Sequence, residues 1–285
     1  MFLNNNLSKV LAALTALWLT LAMAIPANAQ WPYDVPFVPS PQVVVDEMLR
    51  LADVKKDDFV IDLGSGDGRI LITAAQKFGA RGIGVDLDEG LVAESQANAQ
   101  AAGVTERVTF LRQDLFKTDL SKATVITMYL LPGVNMRLRP ALLALKPGTR
   151  IVAHDFELGD WKPDAKVTIR KNAMLWVVPA NVGGRWQLRI NLADGERVYD
   201  LDLRQKHQEI DGVVRIADKP PAGLWLASLR GDKLSFAIVD NAVRELEATM
   251  YFDGVVRDGV MSGELRRGVG SAQTRHTWRA TRVKP

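Results

Sequence analysis

The sequence predicts an α/β protein with a doubly wound sheet, followed by a smaller antiparallel β-rich barrel or sandwich. Two observations predict this architecture. Between about residues 43 and 156, short apolar runs alternate with amphipathic stretches, as in a parallel sheet covered by helices. Beyond about residue 165, apolar and polar residues alternate with a period of two, as in antiparallel hairpins.

In the first region, residue spacing predicts the order of strands and helices. Strands are predicted at 59–64, 81–87, 108–115, 124–131 and 149–156. Helices are predicted at 43–52, 69–78, 89–103 and 135–145, the last interrupted by Pro140. The preceding "WPYDVPFVPSP" segment is too rich in proline for a helix or a central strand.

The second region is predicted to contain seven short strands, at 185–191, 198–204, 224–229, 233–239, 245–252, 259–265 and 274–281. Asp-Gly pairs beginning at residues 211, 253 and 258, and "RGDK" at 230–233, predict hairpin turns. The segments 166–171 and 174–178 fit either sheet. The predicted domains are therefore 30–164 and 165–285, with the boundary anywhere between 165 and 182.

Residues 1–29 are typical of a secretory signal peptide. Lys9 precedes an uncharged apolar run from Val10 to Ile25, and Ala27 and Ala29 provide small residues before a cleavage site at Gln30. The alternative is a membrane anchor, although the run is shorter than the roughly 20 residues that a spanning helix needs. We therefore expect an exported, periplasmic protein, with a membrane-anchored one as the alternative.

Composition and charge are those of a globular protein, with 47% hydrophobic and 24% charged residues and no cysteine. Residues 30–164 hold 15 basic and 19 acidic groups, whereas residues 165–285 hold 20 and 14. The basic second domain could favour an acidic partner or an anionic membrane surface, although arginines scattered over a solvated surface are the simpler explanation. Because the first domain is acidic, no nucleic-acid partner is expected.

The segment "VIDLGSGDGRI" places Gly64, Gly66 and Gly68 between a predicted strand and a predicted helix. Such a turn lets the backbone approach a nucleotide closely, although a plain tight turn has the same composition. The spacing is not the G-x-G-x-x-G of dinucleotide sites, because Arg69 stands where the third glycine would be.

Three acidic residues follow successive predicted strands: Asp62, Asp86 and Asp114. In an open parallel sheet these positions meet in one crevice at the carboxyl edge. Asp62 would repel a pyrophosphate and attract a cationic group, Asp86 suits ribose hydroxyls, and Asp114 suits an exocyclic amine. Three unrelated strand-end caps are the alternative.

These motifs, "VIDLGSGDGRI", "GVDLD" and "RQDLF", resemble those of class I S-adenosylmethionine-dependent methyltransferases, which have a Rossmann-like sheet. The resemblance implies that Asp62 and the three glycines hold the methionine end of S-adenosylmethionine. It implies that Asp86 holds the ribose, and Asp114 with Leu115 the adenine. Asp88 is a second ribose candidate or, more simply, a helix cap.

The "VPFVPSPQVVVDEML" segment before the glycine motif resembles one small methyltransferase family. It comprises the lysine methyltransferases that modify the adenine nucleotide translocase and the ATP synthase c-subunit, in which a P-[FY]-V-P lead precedes the glycines. The resemblance covers residues 33–165. It implies transfer of a methyl group to an amine, with a protein lysine as the expected acceptor.

The acceptor is expected beyond the ends of the fourth and fifth strands, beneath Phe37. Tyr129 is the candidate for lining the amine pocket, and Asp155 or His154 for taking a proton. Pro132 and Asn135 lie in the same region. A small-molecule acceptor, or an exported nucleoside-binding protein without turnover, are the alternatives. No metal site is expected, because His154, His207 and His276 are isolated.

Overall fold

The computed structural model describes residues 35–192, 195–215, 220–239, 249–268 and 273–283, so the predicted signal peptide lies outside the described residues. The features below belong to the unit that begins at Phe37. The helices are α1 Gln42–Leu51, α2 Arg69–Phe78, α3 Glu89–Ala101 and α4 Pro132–Leu143, with a short 3-10 helix at Leu115–Lys117. Of the helices in these ranges, none is both long and apolar enough to cross a membrane.

The first domain is built on a seven-stranded sheet. Its strands are β1 Phe59–Leu63, β2 Arg81–Asp86, β3 Val108–Arg112, β4 Val125–Met128, β5 Arg150–His154, β6 Ala165–Thr168 and β7 Asn172–Val177. Their order is β3-β2-β1-β4-β5-β7-β6. Strands β1 to β5 are parallel to one another, and β7 pairs antiparallel with both β5 and β6. The predicted doubly wound sheet is confirmed, and it extends to Val177, beyond residue 165 but inside the range given for the boundary.

This strand order determines where a ligand can bind. The chain reverses direction across the sheet between β1 and β4, and the crevice outside the carboxyl ends of strands at such a point is the usual ligand site. The turn between β6 and β7 lies at this same edge, because antiparallel β7 places Ala173 opposite His154 at the end of β5.

Alternate residues of the central strands pack against the helices on one face of the sheet. Val60, Val125 and Val152 share a buried core with α1 and α2 residues such as Met48 and Leu71. In α1 the apolar residues recur at a spacing of three to four, so one side of the helix is buried. This core fixes the strands whose ends carry the site.

Within the described residues, the second domain forms a nine-stranded antiparallel sheet. Its strands are β8 Gly184–Leu192, β9 Gly195–Lys206, β10 Glu209–Arg215, β11 Ala222–Gly223, β12 Trp225–Arg230, β13 Lys233–Val239, β14 Thr249–Arg257, β15 Val260–Arg267 and β16 Thr274–Arg282. The order is β11-β10-β9-β8-β16-β15-β14-β13-β12. The two edge strands, β11 and β12, are separated along the chain by Leu224 alone, so the chain itself brings the edges together into a nearly closed barrel. The predicted β-rich domain is confirmed; of the predicted strand 245–252, residues 245–248 lie outside the described residues.

Two of the predicted Asp-Gly turns are wrong. Gly212 lies inside β10 and Gly254 inside β14. At both positions a Cβ atom would meet a neighbouring strand, at 2.4 Å from Asp202 O and 2.6 Å from Ser262 O respectively. These glycines therefore permit close backbone approach within the sheet. Asp258 and Gly259 do form a turn, with φ values of 50° and 72°.

The two domains contact each other through the segment after β5. Lys206 Nζ lies 3.0 Å from Asp160 Oδ2, and Gln208 donates to Lys162 O at 2.7 Å. Trp161 is fully buried there. The barrel is thus joined to the first sheet on the side of β5.

Candidate active site

The glycine turn connects β1 to α2. Gly64, Gly66 and Gly68 have φ values of 74°, 53° and 81°, in the left-handed region that favours glycine. At Gly66 a Cβ atom would lie 2.4 Å from Phe37 Cε2, so no other residue fits beneath that ring. Phe37 therefore covers the glycine turn, whereas the sequence pattern predicted it above the acceptor.

The amides of this turn are largely used within the protein. Gly64 and Ser65 N–H donate to Val85 O, Gly68 N–H donates to Ser65 O, and Gly66 N–H donates to an Asp86 oxygen at 2.9 Å. A phosphate cradle instead presents free N–H groups to its ligand. The turn therefore does not form a phosphate cradle.

Asp62 is a buried carboxylate at the end of β1, only 1% exposed. Its Oδ1 accepts a hydrogen bond from Thr127 Oγ at 2.6 Å, whereas Oδ2 has no partner among the described residues. Burial raises the pKa of Asp62 to about 7, with a contribution from the negative charges of Asp86 and Asp67, while the Thr127 hydrogen bond opposes it. An ammonium group would supply both the missing partner and the opposite charge.

Asp86 ends β2 and holds the glycine turn in place. Its Oδ2 accepts from Gly66 N–H at 2.9 Å and its Oδ1 from Asp88 N–H at 3.0 Å. A carboxylate has about four acceptor positions, so Asp86 can still accept two hydroxyl groups. Asp88 instead caps α3, accepting from Gly90 N–H at 2.8 Å and Leu91 N–H at 3.1 Å.

Asp114 and Leu115 lie at the tip of β3. Asp114 Oδ1 accepts from Phe116 N–H at 2.9 Å and so caps the 3-10 helix that begins at Leu115. Its carboxylate retains acceptor capacity for an amine. The structure therefore brings Asp62, Asp86 and Asp114 to the ends of three adjacent strands of the sheet.

Tyr129, which follows β4, stacks on His154 with ring centroids 3.8 Å apart. His154 is 1% exposed, and its Nδ1 lies 2.8 Å from Ser40 Oγ. Its Nε2 is buried without a partner among the described residues. Burial lowers the pKa of His154, and Lys171 lowers it further while Asp155 opposes them. His154 is therefore held neutral.

Asp155 follows β5 with a left-handed φ of 66°. Its Oδ2 accepts from Lys171 Nζ at 2.8 Å and its Oδ1 from Asn172 Nδ2 at 3.3 Å. The Lys171 hydrogen bond lowers the pKa of Asp155. A carboxylate with a lowered pKa is a weak proton acceptor, so this geometry suits Asp155 for binding a cation.

The two other residues named for this region lie in α4. Pro132 is its first residue, where the missing N–H is no loss. Asn135 is 1% exposed and donates to the carbonyl oxygens of Phe156 and Glu157, each at 3.3 Å. Its Oδ1 is buried and finds no partner in the part of the chain that the structure describes. Asn135 thus supports the segment that carries Phe156 and leaves one acceptor oxygen at the site.

Three residues that the sequence patterns did not single out lie at this edge: Thr127, Ser40 and Lys171. Thr127 is a polar residue in the apolar run "VITM", directly opposite Asp62 in the β1–β4 pairing. A polar residue in an apolar strand could have been recognised from the sequence as a candidate partner of Asp62. Ser40 and Lys171 gave no such signal, because each contacts a residue that is distant in the sequence. Ser40 lies 114 residues before His154, and Lys171 lies 16 residues after Asp155.

The sheet and the comparisons with known proteins identify a class I S-adenosylmethionine-dependent methyltransferase. The ANTKMT methyltransferase domain family matches residues 62–165. A protein-lysine N-methyltransferase of Saccharolobus islandicus is 45% identical over 142 residues, which are 49% of this chain and 88% of the relative. Because the chain spans most of this relative, it belongs to the same methyltransferase family.

Other relatives agree on the class. Two mouse lysine N-methyltransferases, named for the ATP synthase c-subunit and for the adenine nucleotide translocase, are 34% and 35% identical over 46% and 47% of this chain. The chain spans only 52% and 58% of their lengths. A crystal structure described as an RNA methyltransferase from Salinibacter ruber in complex with S-adenosyl-L-homocysteine is 50% identical, with a TM-score of 0.50. The match covers 51% of this chain and 96% of the Salinibacter ruber chain.

Proposed function

We propose that this protein transfers a methyl group from S-adenosylmethionine to the side-chain amine of a protein lysine. The observation that supports this most directly is the 45% identity to a protein-lysine N-methyltransferase of which the chain spans 88%. The site agrees with it, because a buried carboxylate oxygen of Asp62 lacks a partner among the described residues, beside a turn whose amides are largely used.

Asp62 would bind the amino group of the methionine end, with Gly64, Gly66 and Gly68 allowing the ligand to lie against the backbone. Asp86 would accept from the ribose hydroxyls, and Asp114 with Leu115 would hold the adenine. When bound, S-adenosylmethionine supplies an activated methyl group. The protein then has mainly to align the reactants and exclude water, which is worth roughly 7–11 kcal/mol in well-oriented systems.

On the acceptor side, the lysine nitrogen must lose a proton to expose its lone pair. His154 is a better proton acceptor than Asp155, because an imidazole is more basic than a carboxylate and its Nε2 has no hydrogen-bond partner among the described residues. Tyr129 lines the amine pocket and covers His154. Asp155 is better suited to hold the ammonium before the proton is lost, because Lys171 already pairs with it in that way.

Donor binding is the first test. We expect S-adenosylhomocysteine to bind the purified protein in calorimetry, and Asp86→Ala to weaken this binding by about 1–3 kcal/mol through lost ribose hydrogen bonds. A protein that binds no S-adenosylhomocysteine would contradict the proposed function. Unchanged affinity in Asp86→Ala would remove Asp86 from the site.

The acceptor is identified with methyl-labelled donor and cell extract. We expect label in material that protease digests and in methylated lysine after hydrolysis. Label that a ribonuclease releases would favour an RNA acceptor, as the name of the Salinibacter ruber structure suggests. Label that passes a small-cutoff filter would favour a small-molecule acceptor. Donor binding without any transfer would favour a nucleoside-binding protein.

We further propose that the protein is exported, with Gln30 as its mature N-terminus, because residues 1–29 have the composition of a signal peptide. S-adenosylmethionine is made in the cytosol, so an exported enzyme needs a supply of donor outside it. Cell fractionation with mass spectrometry of the mature N-terminus tests the proposal. A cytosolic chain that retains Met1 would contradict it.

A further inference from the structure

One lysine of the protein itself lies at the acceptor side of the site. Lys171 is in the turn between β6 and β7, which the antiparallel pairing of β7 with β5 places at the carboxyl edge. Its Nζ lies 2.8 Å from Asp155 Oδ2. The side chain of Lys171 is 52% exposed, whereas that of Asp155 is 16% exposed. A mostly buried carboxylate is thus covered by a half-exposed ammonium.

The surroundings of this pair are those of a cation subsite. Asp155 is fixed from two sides, since its N–H donates to Asn172 O at 2.8 Å and its Oδ1 accepts from the Asn172 amide at 3.3 Å. The two chain neighbours of Asp155, His154 and Phe156, each stack on the Tyr129 ring, with centroids 3.8 Å and 6.1 Å away. The Asp155 carboxylate therefore belongs to the same short segment as the residues that hold Tyr129.

The charges around Lys171 hold it as a cation. The Asp155 carboxylate raises the pKa of Lys171, and the Tyr129 phenol adds to this effect. Lys171 in turn lowers the pKa of His154. Lys171 is therefore protonated and does not itself carry a reactive lone pair in this arrangement. It occupies the subsite as a cation.

We propose that Asp155 and Tyr129 form the subsite that receives the ammonium of the acceptor lysine, and that Lys171 fills this subsite until the acceptor displaces it. This inference rests on the proposed function. It assigns Asp155 to binding rather than proton transfer, and it makes Lys171 a competitor of the substrate. Because a half-exposed ion pair contributes little free energy, an incoming lysine can displace it readily.

The test uses Nα-acetyl-L-lysine methylamide as the probe and the full chain saturated with S-adenosylhomocysteine. Probe binding is measured by NMR titration for wild type, Lys171→Met and Lys171→Arg. We expect Lys171→Met to bind the probe about two- to fivefold more tightly, because the competing charge is gone. Lys171→Arg retains the charge and should bind as wild type does. The norleucine analogue of the probe, which lacks the ammonium, should respond to neither substitution.

Two further variants make the result specific. Lys166→Met removes a positive charge from the same hairpin, where Lys166 pairs with exposed Glu157 at 3.3 Å, and should leave probe affinity unchanged. Adding Asp155→Asn to Lys171→Met should abolish the gain. Unchanged probe affinity in Lys171→Met, or an unchanged gain in the double variant, would overturn the inference. Because S-adenosylhomocysteine binding is measured in the same samples, failure of donor binding would instead contradict the proposed function.

Discussion

The carboxyl edge of the first sheet and the interior of the barrel differ in how their buried polar atoms are satisfied. Among the described residues, six buried side-chain atoms lack a hydrogen-bond partner. Four of them lie at or beside that edge: Asp62 Oδ2, Ser65 Oγ, Asn135 Oδ1 and His154 Nε2. The other two, Trp161 Nε1 and His207 Nε2, belong to the contact between the domains. In the barrel core, Trp186 Nε1 donates to Val182 O at 2.8 Å and Trp278 Nε1 to Asp253 O at 3.2 Å.

Buried polar groups in folded proteins are nearly always paired, because an unpaired one costs about 1–3 kcal/mol. Their accumulation at one edge indicates that a ligand supplies the missing partners. The barrel core instead contains closely packed aromatic rings, with Phe236 and Phe252 4.7 Å apart and Trp278 packed edge-on against both. The difference separates a region organised for binding from one organised for stability.

The largest expected effect is on the stability of the barrel. Trp278→Ala removes a ring that is 2% exposed, and we expect a loss of about 3–5 kcal/mol in urea unfolding. Trp225→Ala is the matched control, because Trp225 is 63% exposed and its removal should change stability by less than about 0.5 kcal/mol. S-adenosylhomocysteine affinity should be unchanged in both. A loss of affinity in folded Trp278→Ala would show that the two regions are not separate in function.

At the site edge, a substitution should increase stability. The pKa of Asp62 is raised from 3.8 to about 7 in the folded protein, so the folded state binds a proton that the unfolded state has lost. Stability therefore falls as pH rises from about 4 to about 7. Asp62→Asn keeps the Thr127 hydrogen bond without the charge, and should be more stable by up to about 4 kcal/mol at pH 8.

Asp62→Asn should also weaken donor binding. We expect S-adenosylhomocysteine to bind Asp62→Asn about tenfold more weakly or worse, because a charge-assisted hydrogen bond is lost. Urea unfolding at several pH values checks the first effect, with the difference vanishing below about pH 4, and calorimetry checks the second. A stabilised variant with unchanged donor affinity would mean that Asp62 has no ligand to bind.

Most of the fold was predictable from the sequence, because hydrophobic period and turn residues act locally. Helix 69–78 and strand 233–239 were predicted to the residue. The errors have a common cause. The predicted strand 124–131 ends at Met128, where Tyr129 turns into the site, and strand β10 was missed because Asp211 and Gly212 resemble a turn. In both cases tertiary contacts override a local pattern.

The placement of the proposed donor-binding residues at one edge was also predictable, since the glycines and the strand-end acids are contiguous motifs, whereas their binding roles stay a prediction. The acceptor side was not, because it is assembled from separate segments. Ser40 reaches His154 from the proline-rich lead, and Lys171 reaches Asp155 from a later hairpin. Nothing in the spacing of these residues indicates that they meet. The acceptor side therefore became visible only when the chain was folded.

The next effect concerns the glycine turn. An alanine at position 66 would adopt a left-handed conformation that costs about 1–2 kcal/mol, and its Cβ would meet the Phe37 ring. We expect Gly66→Ala to lower stability by at least that amount and to weaken S-adenosylhomocysteine binding. Adding Phe37→Ala should restore the stability lost through the clash with the ring, and should not restore the stability lost through the left-handed backbone. If Gly66→Ala lowers stability as much in the Phe37→Ala background as in wild type, the Phe37 ring is not the reason that glycine is needed.

The smallest effect separates two neighbouring acids. Asp88 accepts from two N–H groups at the start of α3, so Asp88→Ala should lower stability by about 1 kcal/mol through the lost cap. Its S-adenosylhomocysteine affinity should remain that of wild type, whereas Asp86→Ala should lose affinity. Urea unfolding and calorimetry on the two variants measure both quantities. Because Asp86 also holds Gly66, some instability is expected there too, and donor affinity is the decisive measurement. Weaker donor binding in Asp88→Ala would place Asp88 on the ribose and extend the binding region beyond the tips of the strands.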